Sequence, residues 1–75
     1  MLLSDLKQKQ SAIITKINSD EETEDRLYSL GLVEGIQILI DKYSMAKQTI
    51  IISLQSQTLA IGLGEAKQIE VEITK

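Results

Sequence analysis

The sequence predicts a mainly β fold: a small, partly closed barrel of about five strands, with one short helix inserted after the first strand. Three observations carry this. Apolar and polar residues alternate through 36–43, Thr49–Leu54 and Ile69–Thr74, the period of half-buried strands. The stretch RLYSLGLVEGIQILI, residues 26–40, encodes a helix end, a tight turn and a strand start without a gap. A chain of 75 residues has little material to cover exposed strand edges, and closing the sheet hides them.

The elements follow in order. Leu2, Leu3 and Leu6 flank Ser4 and Asp5, which suits an N-terminal turn pinned by leucines rather than a long helix. The first strand is expected over Ser11–Ile17. Its Ile13, Ile14 and Ile17 form a weak pattern, but β-branching and the turn-rich NSDEE that follows support a strand. Ser19 or Asp20 can cap the next helix. Glu21, Glu22, Glu24 and Asp25 then crowd its first turns, where the partial positive charge of a helix N-terminus favours carboxylates.

That helix should stop at Leu30. Gly31 then takes the first position beyond the cap, where a left-handed backbone costs a residue with a Cβ about 1 kcal/mol and glycine almost nothing. Leu27 and Leu32 fall at the two positions whose apolar contact closes a Schellman motif, so they should clamp the helix end onto the core. Gly35 opens a second turn. After it Ile36, Ile38 and Ile40 alternate with Gln37, Leu39 and Asp41, giving a second strand over 36–43. The loop SMAKQ leads to a third strand, Thr49–Leu54, with Ile50, Ile52 and Leu54 pointing one way. Residues 55–57 make a turn and 58–61 a fourth strand. Gly62 and Gly64 are expected to bend the chain into a short turn or 3₁₀ segment ending at Ala66. Ile69, Val71 and Ile73, alternating with Glu70, Glu72 and Thr74, give the fifth strand.

Composition narrows the chemistry. Cysteine and histidine are absent, which excludes disulfides, thiolate chemistry, zinc sites of the usual kind and histidine acid/base catalysis. No serine sits in a nucleophile-elbow motif. Gly62-Leu63-Gly64 matches only the first half of a dinucleotide fingerprint, with Lys67 where the third glycine belongs. An enzyme is not expected, and neither is a cofactor. The acids at 20–25 lack the spacing of a Ca²⁺ loop, and open ferrous sites typically add two histidines, so they read as a solvated helix start and no metal site is assigned. The net charge of −3, with eight scattered basic residues, argues against nucleic acid. No segment reaches the roughly 18 continuous apolar residues that a membrane span needs, so a cytoplasmic location is expected. Any partner is then a protein.

The candidates for contacting it are few. Tyr43, Met45 and Lys47 place a ring, a thioether and a charge on what should be an exposed bend; alternatively Met45 folds over the barrel end and Lys47 is merely solvated. Tyr28 lies on the helix beside Leu27, as core edge or as contact surface. Arg26 adds a positive group, or else pairs with Glu22 four residues earlier. Two tyrosines are too few aromatics for a polyproline groove.

A helix ending in LGL, a glycine turn and an alternating strand resemble the bacterial ferrous iron transport protein A (FeoA) family. The closing TLAIGLGEAKQIEVEI and the opening LSDLKQKQSAIITKI are similar to that family's last and first segments, so the resemblance spans nearly the whole chain. It implies an SH3-like barrel carrying an inserted helix. By resemblance the chain is also expected to be a non-enzymatic cytoplasmic accessory of ferrous iron uptake that binds and regulates the membrane GTPase transporter FeoB. The runner-up is a stand-alone SH3-like regulatory domain contacting an iron-dependent transcriptional repressor. Gln8 and Lys9 stand where the family commonly has Pro-Gly, and Ser56 where a hairpin glycine is frequent.

Overall fold

Five strands form one antiparallel sheet: β1 (Ser11–Ile17), β2 (Gln37–Tyr43), β3 (Thr49–Leu54), β4 (Gln57–Gly62) and β5 (Ile69–Thr74), in the spatial order β4-β3-β2-β1-β5. The computed structural model describes residues 1–44, 46 and 48–74. A helix α1 (Glu21–Ser29) follows β1, and a four-residue helix α2 (Leu63–Ala66) precedes β5. The strand count and the place of the helix match the sequence reading.

The sheet does not close. β4 and β5 stand at its two edges and do not pair with each other. Part of the outer edge of β5 is taken by the chain's own start, for Leu2 bridges Glu70 and the Val71 N–H donates to the Met1 carbonyl at 2.7 Å. Among the described residues no further strand pairs with that edge. Ile73, expected to point inward with Ile69 and Val71, is 43% exposed.

Two register shifts set which side chains reach the core. In β1 the pairing with β5 slips between Ile14 and Lys16, an irregularity that leaves Thr15 without a partner. Ala12 and Ile14 are therefore buried on one side of it and Ile17 on the other, a spacing of three rather than two. In β2 the register slips between Ile40 and Lys42. Ile40 faces Ile52, and beyond the extra Asp41 it is Tyr43 that faces buried Ile50, while Lys42 faces Ile51. Strict alternation would have sent Lys42 inward. The Asp41 carboxylate accepts the Ser53 hydroxyl at 2.6 Å, which ties the bulged residue to the neighbouring strand.

The helix is bounded as its sequence dictates. Asp20 caps it, its Oδ1 accepting the Thr23 N–H at 3.0 Å. Hydrogen bonding from the Thr23 side chain first, and from its backbone N–H second, holds the Asp20 pKa below the usual aspartate value. At the other end the Leu32 N–H donates to the Leu27 carbonyl at 3.0 Å and the Gly31 N–H to the Tyr28 carbonyl at 3.0 Å, the two bonds of a Schellman motif. Gly31 has φ +98°, and Leu27 and Leu32 are fully buried. Gly35, with φ +92°, donates its N–H to the Ile14 carbonyl at 2.7 Å while the Ile14 N–H returns to Ile36 at 3.0 Å, so the turn delivers the chain directly into the β1–β2 ladder.

The bend before β5 works differently from the expectation. Gly62 has φ −74°, available to any residue, so glycine freedom is not what turns the chain. The Gly62 N–H instead donates to the Glu65 carboxylate at 3.1 Å, and the segment is one α-helical turn rather than 3₁₀. The core is almost wholly aliphatic: Leu3, Ile14, Leu27, Leu32, Ile38, Ile40, Ile50, Ile52 and Ile69 are its largest fully buried side chains.

Candidate functional site

A cleft of about 820 Å³ opens where the N-terminal turn, the end of β2 and α2 meet. The 3₁₀ turn Leu3–Asp5 forms its first wall. The turn is local in origin: the Asp5 carboxylate accepts the Leu2 N–H at 3.1 Å, while buried Leu3 and Leu6 root it in the core. Tyr43, swung to the core face by the Asp41 bulge, forms the second wall. Its hydroxyl donates to the Leu6 carbonyl, locking the end of β2 to the N-terminal turn. Burial, and then the Asp5 charge, raise the Tyr43 pKa, so the phenol stays protonated and remains the donor.

The third wall is α2. The Leu63 N–H donates to the Gln48 carbonyl at 2.9 Å, which fastens the helix to the loop after β2. Leu63, half-buried, joins Leu6 and Tyr43 as the apolar lining, and Lys7, Lys42 and Lys67 line the cleft as exposed cations. Asp5 is the one carboxylate among the described lining residues.

The sequence-predicted contact residues do not form one patch. Tyr43 lines the cleft, and Arg26 and Tyr28 do not. Arg26 makes an ion pair with Glu65 of α2, not with Glu22. Glu65 thereby joins two helices, one carboxylate oxygen facing Arg26 and the other accepting the Gly62 N–H. Tyr28 is 39% exposed on α1. Its pKa is raised by desolvation first, then by the charges of Glu24 and Glu34, which marks that helix face as acidic. Met45 and Lys47 lie outside the described residues. Leu27, Gly31, Leu32 and Gly35 build the turns described above and stay clear of the cleft.

Sequence reasoning missed Lys7, Lys42, Leu63 and Lys67. Each is ordinary in its local context, and the three lysines are far apart along the chain; the leucine-pinned turn at Leu2, Leu3 and Leu6 was legible, but not that the Leu6 carbonyl would accept the Tyr43 hydroxyl. Among the described residues no group of three or more Asp or Glu side chains is arranged to hold a metal ion, and no helix is long and apolar enough to cross a membrane.

The family model for the FeoA domain matches residues 1–73. The chain belongs to the FeoA family. A Campylobacter jejuni protein named "Putative Fe(2+) transport protein A" is 33% identical over 73 residues, covering 97% of this chain and 99% of that protein. The solution structure of FeoA from Chlorobium tepidum superposes with a TM-score of 0.93 at 28% identity, over 100% of this chain and 71% of that one. FeoA of Stenotrophomonas maltophilia, solved with zinc and described as a prokaryotic SH3-domain protein, shares the fold with a TM-score of 0.81 at 22% identity, over 96% of this chain and 89% of that one. The architecture is thus SH3-like with an open sheet. The same fold forms part of a manganese-dependent transcriptional repressor, with a TM-score of 0.88 at 14% identity; this chain covers 41% of that one.

Proposed function

We propose that this FeoA-family chain is a non-enzymatic accessory of ferrous iron uptake, which works by docking onto the cytoplasmic side of the membrane GTPase transporter FeoB. The match to the FeoA domain over residues 1–73 carries the reading. The chemistry of the chain agrees with it. With neither cysteine nor histidine, the side chains best suited to nucleophilic catalysis or to capturing Fe²⁺ are missing, so the chain acts through the surface it presents. The S. maltophilia relative is itself named as a candidate activating factor for ferrous iron transport.

The mechanism is differential binding. A domain that docks more tightly to one conformational or nucleotide state of a transporter shifts the population toward that state by the ratio of its two affinities. The test is a pull-down with the transporter encoded by the same genome, paired with a GTPase assay across physiological salt. The expected result is co-purification together with a changed rate of GTP hydrolysis. Absence of both overturns the reading.

A further inference from the structure

We propose that the cleft bounded by the N-terminal turn, the end of β2 and α2 is the docking site, and that its occupant is an acidic segment of the partner carrying an aliphatic side chain between carboxylates. The inference rests on the docking reading above and assigns its surface. Charge complementarity is the first argument. The chain is acidic overall, with a net charge of −3 and carboxylates crowded at the start of α1, yet among the described residues the cleft sets three lysines against one carboxylate. That carboxylate, Asp5, already accepts the Leu2 N–H. The cleft is therefore a cationic island on an anionic surface, which steers an acidic segment in and turns a basic one away.

The apolar lining supplies the second argument. Leu6, Tyr43 and Leu63 line the same cleft as the lysines, and its roughly 820 Å³ is the size of pockets that hold small molecules, which leaves room for an aliphatic side chain. A phosphate group fits less well. Phosphate sites gather free backbone N–H groups, and here the two amides at the start of α2 are occupied, Gly62 by Glu65 and Leu63 by the Gln48 carbonyl. The hydroxyl of Tyr43 is likewise committed to Leu6, which fixes the ring as a wall.

The ¹⁵N-labelled full chain is titrated with four probes: the cytoplasmic GTPase portion of the transporter, a capped hexapeptide alternating Glu and Leu, its Lys/Leu counterpart, and inorganic phosphate. The transporter portion and the Glu/Leu peptide are expected to shift the amides of Leu6, Tyr43, Leu63 and Lys67, with an affinity that falls as salt rises. The triple variant K7E/K42E/K67E should bind at least about tenfold more weakly, and the neutral K7Q/K42Q/K67Q should show a smaller loss in the same direction. K9E/K16E, at lysines outside the cleft, should bind unchanged. Equal shifts from the Lys/Leu peptide, or shifts from phosphate where the Glu/Leu peptide gives none, overturn the proposal. Shifts by the transporter portion confined to another face overturn the cleft as docking site and leave the docking reading standing. Failure of the transporter portion to bind, while the Glu/Leu peptide still occupies the cleft, overturns the docking reading and upholds the chemistry of the cleft.

Discussion

Replacing Gly31 by alanine should cost clearly more stability than the same change at Gly35, although both glycines have positive φ. At Gly35, with φ +92°, an added Cβ meets nothing within 4 Å, so only backbone strain opposes it. That strain is about 1 to 2 kcal/mol, reduced by the roughly 0.4 to 1 kcal/mol that alanine gains by restricting the unfolded chain. The net cost of G35A is then about 1 kcal/mol. At Gly31, with φ +98°, the same strain applies and the Cβ also lies 3.1 Å from Gln57 Nε2 and 3.2 Å from Leu54 Cδ1. Leu54 is buried and cannot swing away. Gln57 can, but its amide donates to the Leu30 carbonyl at 3.2 Å at the helix C-terminus, so moving it gives up that bond. Losing a hydrogen bond and displacing a packed methyl adds about 1 to 2 kcal/mol, which puts G31A near 2 to 3 kcal/mol. Urea denaturation followed by far-UV circular dichroism measures both, with the slope checked for constancy. In the G31A background Q57A should cost less than it does in the natural chain, because the clash and the bond share one side chain. Equal losses for the two glycine variants would refute the reasoning, since they would show that the crowding at Gly31 carries no energy.

Other variants test the same frame. Lys9 and Gln55 hold φ +72° and +51°, so K9G and Q55G should each raise stability by about 0.5 to 1 kcal/mol in the same denaturation assay. Y43F removes the donor to the Leu6 carbonyl and should cost about 1 kcal/mol, with faster amide hydrogen exchange in the N-terminal turn. The Asp20 pKa is lowered from 3.8 by folding, so its cap contributes fully above that value and is lost as pH falls through the lower folded value; D20N, which caps without titrating, should flatten this part of the acid limb of the stability curve. R26A should cost about 1 to 2 kcal/mol: the Arg26 side chain is 58% exposed, but the Glu65 side chain it leaves is only 21% exposed and among the described residues its Oε2 has no other hydrogen-bond partner.

Local chemistry was legible where local chemistry decides the outcome. The Schellman stop at Gly31 needs only glycine and two flanking leucines, and the Asp20 cap needs only a short acceptor ahead of a helix. The alternation of Ile50, Ile52 and Leu54 reads correctly because β3 pairs with β4 without a slip. β1 read weakly for a reason that the fold explains: its register shift at Thr15 spaces Ile14 and Ile17 by three, which breaks the period that a strand reading depends on. The β3–β4 hairpin carries its positive φ at Gln55, where no glycine signals it.

The residues in order thus determined the strand count, the helix with both its ends, an aliphatic core and the absence of thiol and imidazole chemistry, because each follows from side chains within a few positions of one another. Only the tertiary structure decided that the sheet stays open with the N-terminus on its edge, that the Asp41 bulge turns Tyr43 inward and Lys42 outward, and that Lys7, Lys42 and Lys67 surround one cleft. A bulge is defined by the partner strand and a cleft by segments that meet across the fold. Both arise from distances between residues remote in sequence, which no local period encodes.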